Sequence, residues 1–267
     1  MIELSHSEVK KLELDILSSI DSFCEEKGIK YSLAYGTLLG SVRHKGFIPW
    51  DDDIDIWMPR PDYIRFVNEF KHDYYLVKSP GINDDNYYLH FAKVFDTRTT
   101  LIEATGYKWS LFVDIFPIDG IPGNDEESIS FYEKAKEKRK FLNNYRNLVE
   151  LTQVKPSTPK EFVVRNITKF INLFYSCATL RNQYVHYISQ FDFNTSSMCF
   201  DCAFGDNHRI ITKSEATSII RGDFENGKYN IFSHYDHILR LIYGDYMQLP
   251  PVEERKPRHD FLTYLND

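Results

Sequence analysis

Within six residues, Asp51-Asp52-Asp53-Ile54-Asp55-Ile56, the chain sets four carboxylates against two aliphatic side chains. Read as part of a strand from Asp51 to Met58, alternation puts Asp51, Asp53 and Asp55 on one face and sends Ile54 and Ile56 into a core on the other. Ile54, Ile56 and Trp57 need burial, so they pin the acids in place; a freely solvated acidic loop has no use for such neighbours. Carboxylates crowded in this way stay ionised when a cation neutralises them, and hard oxygen donors select Mg²⁺ or Mn²⁺ over softer metals. An EF-hand loop is excluded, because its sixth position would be Ile56 instead of Gly and its twelfth Asp62 instead of Glu. The segment therefore calls for a sheet with one face buried and the other open to a polar site.

The surrounding pattern supplies that sheet. Val9, Leu12, Ile16, Ile20 and Phe23 make one apolar stripe, predicting a helix over 7–27 with Ser5 or Ser7 as its cap and Gly28 as its stop. Lys30–Tyr35 reads as a strand, Leu38–Val42 as a short helix, 46–49 as a turn and 62–70 as a helix. Tyr87–Phe95 and Leu111–Phe116 are further strand candidates. This order predicts an α+β fold around a mixed sheet. From 124 to 190 the chain turns polar and helical. One helix over 133–146 carries Lys134, Lys136, Lys138, Arg139, Lys140 and Arg146, expected to be a solvated face. The next, with Phe162, Val163, Ile167, Phe170, Ile171 and Phe174, is expected to pack on the core; a basic helix beside an apolar one also suits peripheral contact with an anionic membrane. A helix over 235–241 and the loop 243–251 read as a C-terminal wrap. The division expected is a core over 1–123, a helical insertion over 124–190 and a C-terminal region over 191–267 that packs back on the core.

The formal charge of −7 argues against a surface built for nucleic acid, which needs an excess of Lys and Arg. No apolar run reaches the roughly 20 residues of a spanning helix and the N-terminus has no signal-peptide pattern, so a cytoplasmic protein is expected. Cys199 and Cys202 form one CxxC with His208 the nearest further ligand, too few groups for a structural zinc; reduced buried thiols are expected.

Two further features bear on chemistry. Gly36-Thr37 follows a strand and opens a short helix, where exposed N–H groups and the Thr hydroxyl can hold phosphate oxygens. Asp114 stands alone in the apolar strand Leu111–Phe116, a costly burial unless it is paired or bound to metal. Asp119, two residues after Pro117, reads as a turn residue. A phosphate cradle followed sixteen residues later by the pair Asp53 and Asp55, with Asp114 as a third acid, is the pattern of a nucleotidyltransferase-type site.

The stretch from Tyr35 to Asp55, YGTLLGSVRHKGFIPWDDDID, together with VDIFPID at 113–119 and YGDYMQLPP at 243–251, resembles the LicD family of phosphocholine transferases, relatives of the fukutin-type transferases. The three motifs occur in family order; Phe232 departs from the pattern, where a Pro is expected. The resemblance implies a nucleotidyltransferase-like fold and transfer of phosphocholine from CDP-choline to a hydroxyl of a surface glycan, lipopolysaccharide or teichoic-acid precursor, with release of CMP. It implies Asp53 and Asp55 as the metal pair and Asp114 as the third acid, with Asp51 completing the row.

Arg43, His44 and Lys45 lie between the cradle and the acids, and Arg43 has the bidentate geometry a phosphate favours. Lys93 on the next strand is a candidate for the same role. A quaternary ammonium calls for ring faces, and Trp50, Trp57, Trp109, Tyr87, Tyr88 and Tyr107 are available. Two other readings keep the scaffold: transfer of another phospho-substituent, such as a polyol phosphate, or of a nucleotidyl group; and a non-catalytic glycan-binding protein.

Overall fold

The computed structural model describes residues 1–82, 87–103, 106–123, 125–153, 156, 158–172, 176–201, 210–257 and 261–267. After a short edge strand β1 (Ile2–Glu3), helix α1 (His6–Lys27) begins where the periodicity and the cap agree. The Ser5 side chain accepts from the Glu8 N–H while the Glu8 carboxylate accepts from the Ser5 N–H, so two orphan donors are satisfied together. Gly28, at φ 62°, ends the helix in the left-handed conformation that only glycine adopts freely.

The next elements are β2 (Ser32–Leu33), α2 (Tyr35–Arg43), β3 (Asp55–Pro59), α3 (Arg60–Glu69), β4 (Tyr75–Lys78), β5 (Ala92–Glu103) and β6 (Lys108–Gly120). Three helices follow, α4 (Asp125–Gln153), α5 (Pro159–Asn172) and α6 (Cys177–Ile188). The remainder is β7 (Met198–Asp201), β8 (Ile210–Thr212), α7 (Lys213–Thr217), the hairpin β9 (Ile219–Phe224) and β10 (Gly227–Phe232), α8 (Tyr235–Tyr243) and β11 (Phe261–Leu265).

Among the described residues nine strands form one mixed sheet with the path β1-β11-β5-β6-β3-β2; β4 adds to β5, and β7 with β8 adds to β6. The pair β3–β6 is parallel, and the other pairings are antiparallel. This is the expected α+β fold with a mixed sheet. The main core runs from α1 (Ile16, Leu17, Ile20) through Ile54, Ile56, Val94, Val113 and Ile115 to the β9–β10 hairpin and α8. A second cluster, with Phe131, Tyr132, Leu142, Leu180, Tyr184 and Ile188, belongs to α4 and α6 and meets the sheet at Phe200. The C-terminal segment returns to the sheet, where β11 pairs with both β5 and β1.

Several expectations are corrected. The strand predicted from Asp51 begins at Asp55; Asp51–Ile54 is irregular, because consecutive aspartates are poor strand formers and their carboxylates take positions off the ladder. The strand predicted from Tyr87 begins at Ala92 and is longer, to Glu103. The 30–35 strand contracts to two residues, and Tyr35 instead opens α2 at φ 42°. Asp119 is a strand residue, fully buried at the end of β6. The apolar stripe of α5 faces outward: Phe162, Val163, Ile167, Phe170 and Ile171 are all exposed. Among the described residues no helix is long and apolar enough to cross a membrane.

Candidate active site

Strand register assembles the site. Asp55 at the first position of β3 lies opposite Asp114 of β6, and Asp114 lies opposite Lys93 of β5, so one row of three adjacent strands reads Asp55, Asp114, Lys93. Residues directly opposite share a face of the sheet. The Lys93 ammonium approaches the Asp114 carboxylate to 2.6 Å, both side chains being largely buried, and it also sits over the Phe112 ring, 3.2 Å from the centroid. Asp55 has no cation of its own in this row. Burial, then the charges of Asp53, Asp114 and Asp51, push its carboxyl well above the usual carboxylate range, with Lys93 opposing. Asp53 therefore reaches this row electrostatically although it lies outside the ladder.

The turn before β3 contributes the rest. One carboxylate oxygen from each of Asp51, Asp52 and Asp53 lies within 4.8 Å of the others. A Cβ at Gly36 would meet the Asp51 carboxylate at 2.3 Å, so glycine is what lets that acid lie against the start of α2. Ala34, the residue at the cap of α2, provides no side-chain acceptor, and a carboxylate is favoured at a helix N-terminus. The bend read as a phosphate cradle thus already has Asp51 beside it. Thr37 is buried, and its hydroxyl oxygen accepts the Asp55 N–H at 2.9 Å, which fixes the first residue of β3 to the first turn of α2. Tyr35, in its strained left-handed conformation, is held by ring contacts to Trp57 and Phe116, 4.7 and 5.4 Å between centroids.

The other predicted residues spread around this centre. Arg43 donates to the Tyr246 carbonyl at 2.6 Å and to the Gln248 carbonyl at 3.5 Å, so its guanidinium ties α2 to the loop after α8. His44, 6.3 Å from the Trp50 ring edge-on, is held below the ordinary histidine range by partial burial and by Arg43. Arg255 lies over Trp50 at 5.6 Å. Trp57 and Tyr87 are core residues. Tyr88, Tyr107 and Trp109 line a cleft of about 360 Å³ with Phe95, Leu76, Lys78 and Lys108. Their rings meet at 4.9 to 6.3 Å and at steep angles, while Trp109 stacks on Phe95 at 4°. Leu76, Phe95 and Phe112 occupy the register row next to Lys78, Lys93 and Asp114, so this cleft opens on the face that carries the acids.

One acid escapes a reading of the motifs. Glu13 is buried in α1, and burial followed by the charges of Asp53 and Asp52 pushes its carboxyl well up; its Oε2 is a buried oxygen with no hydrogen bond. Its signal in the sequence is a glutamate set between Val9 and Ile16 on an otherwise apolar stripe. Cys24, Cys177 and Cys199 are buried free thiols, and Cys24 and Cys199 are pushed up by burial; Cys202 and His208 lie outside the described residues.

The family LicD/FKTN/FKRP, nucleotidyltransferase domain, matches residues 28–160, which include the row Asp55, Asp114, Lys93, the turn before β3 and the aromatic cleft. The chain is 32% identical over 268 residues to the lipopolysaccharide cholinephosphotransferase LicD of Haemophilus influenzae, covering 99% of this chain and 100% of that protein. It is also 41% identical over 76 residues to an uncharacterized protein of Rickettsia typhi, 27% of this chain and 25% of that one.

Proposed function

The chain belongs to the LicD/FKTN/FKRP family, and on that premise we propose that it is a metal-dependent transferase that moves phosphocholine from CDP-choline to a hydroxyl of a cell-surface glycan, lipopolysaccharide or teichoic-acid precursor, releasing CMP. The observation that carries the reading is the row Asp55, Asp114, Lys93 with Asp53 and Asp51 beside it, acids close enough together that their charges and burial raise the Asp55 carboxyl well above its ordinary range. Full-length similarity to a cholinephosphotransferase supplies the substrate class.

The donor set is all carboxylate, which fits Mg²⁺ or Mn²⁺; Asp55 and Asp114, opposite each other in the row, with Asp53 from the turn beside them are the residues that would hold it. Bound there, such an ion would supply positive charge to offset that of the donor's diphosphate. The protein's own groups do the positioning. Thr37 fixes Asp55 through its backbone. Lys93 holds Asp114 in place, and a carboxylate of the row takes the proton of the acceptor hydroxyl as its oxygen bonds to phosphorus. The rings of Tyr88, Tyr107 and Trp109 offer their faces to the quaternary ammonium.

The test is direct. Purified protein with Mg²⁺, CDP-choline and a hydroxyl-bearing glycan acceptor should release CMP in step with acceptor phosphocholine, and a chelator should stop both. Release of CMP or pyrophosphate only from other activated donors would move the substrate while keeping the site; no release from any donor would end the enzymatic reading.

A further inference from the structure

Helix α5 is amphipathic in the wrong sense for a helix that packs on a core. With about 100° per residue, Val163, Ile167 and Phe170 fall within an arc of about 60°, flanked by Ile171 and Phe162. These five side chains are 54%, 54%, 63%, 43% and 59% exposed in that order. The opposite side, turned toward the protein, carries Thr168, which is buried, and the half-buried Glu161 and Arg165. The inversion is not a frayed end: the Thr158 hydroxyl accepts the Glu161 N–H and Glu161 in return accepts the Thr158 N–H, so the first turn is anchored. On α4, Phe141 and Leu148, seven residues apart, are also exposed. Water-facing apolar side chains in such density mark a surface that something covers.

Charge decides what covers it. Residues 133–171 contain ten Lys or Arg against four Glu, while the chain as a whole stands at −7. On α5 itself Lys160, Arg165 and Lys169 face a single acid, Glu161, which is engaged in the cap. A second copy would set one basic surface against another. An anionic bilayer meets both requirements, taking the apolar arc into its interfacial region and the lysines at its headgroups.

We propose that α5, supported by α4, is a peripheral docking surface that lies on anionic lipid with Val163, Ile167 and Phe170 inserted. This goes beyond the transferase reading and does not depend on it, since neither donor nor metal enters. Sedimentation with vesicles of phosphatidylethanolamine and a rising fraction of phosphatidylglycerol tests it on the intact protein. Wild type should bind increasingly with the anionic fraction and less with salt. The pair Val163→Ser and Ile167→Ser should weaken binding by about ten-fold or more through lost apolar burial. Lys160→Glu with Lys169→Glu should remove the anionic preference while the circular dichroism spectrum stays that of wild type. Wild type that remains in solution at every composition overturns the proposal. So does a dimer in light scattering that Val163→Ser and Ile167→Ser reduce to a monomer, because the face is then closed by a second copy. If the serine pair unfolds, the salt and lipid dependence of wild type and the charge-reversed protein still decide.

Discussion

Strand β6 carries two aspartates five residues apart, and the protein treats them in opposite ways. Asp119 is fully buried and has a dedicated partner: Arg60, at the start of α3, donates through Nε and Nη2 at 2.5 and 2.6 Å in a bidentate pair. Asp114 shares one lysine with Asp55, and Asp53 and Asp51 crowd the same space. A fork of donors matched to one carboxylate is a closed structural unit. A group of acids that raise one another's carboxyls is an open one, kept at a cost in stability and made useful by what binds there. The two ends of one strand thus separate what holds the fold from what does its chemistry.

The largest effect should come at the open end. Asp55→Asn or Asp114→Asn should lower turnover by about a thousand-fold, on the scale of losing one group that stabilises transition-state charge. For Asp55→Asn the melting temperature should stay level or rise, because a repelled carboxylate is gone. Steady-state CMP release beside a thermal melt gives both numbers, and an Asp55→Asn protein that turned over normally would put the site elsewhere. At the closed end the sign pattern reverses. Arg60→Ala should cost about 3–5 kcal/mol by leaving Asp119 charged and alone in the core. Arg60→Met with Asp119→Leu should restore most of that stability, since both charges leave together. Turnover per folded molecule should hold in both. Denaturant melts of the single and double variants sharpen the contrast; a single variant as stable as wild type would mean that Asp119 is satisfied some other way.

A third effect bears on the open end alone. Mg²⁺ at a hundred times its dissociation constant should stabilise the protein by about 2.7 kcal/mol, as for any ligand that binds only the folded state. Asp53→Asn and Asp55→Asn should lose most of that gain, whereas Arg60→Met with Asp119→Leu should keep it. Identical shifts in all of these proteins would show that magnesium acts without the acidic row.

Much of this contrast is legible in the sequence, and what is not follows a physical rule. The alternation that begins at Asp55 and Ile56 and the solitary Asp114 are local signals, and local sterics place them. Pro117 points to a turn at Asp119, which is instead a residue of β6. In the fold, the Asp114 N–H points to β3, so by alternation position 117 points the other way, into the gap between Ile115, where β5 ends, and Ile118, where β7 begins. No ladder bond is missing there, and a proline is tolerated inside the strand. The pairing of Arg60 with Asp119 and the place of β11 between β1 and β5 depend on contacts distant in sequence. Periodicity shows that α5 is amphipathic, yet it carries no information about which side meets the protein. Arg43 has the chemistry of a phosphate ligand, but its position at the C-terminal end of α2 gives its donors to the carbonyls of Tyr246 and Gln248.

The smallest effect belongs to Glu13, which extends the open end into α1. Its Oε2 is buried without a hydrogen bond, and burial together with Asp53 and Asp52 raises its carboxyl well above the ordinary glutamate range, with only Lys10 opposing. Linkage fixes the sign. Above the ordinary range the unfolded chain has already released this proton while the folded protein still holds it, so the folded state binds more protons and loses stability as pH rises. That loss continues until pH passes the raised folded value and the buried carboxylate finally ionises. Glu13→Gln removes the titration and keeps the shape. It should therefore match wild type at low pH and become the more stable protein, by about 1 kcal/mol or more, as pH climbs through that window, with chelator present so that no cation offsets the charge. Paired urea melts at several pH values measure the difference. A gap that stayed constant with pH would mean that Glu13 is ionised throughout and that the nearby aspartates do not raise its carboxyl.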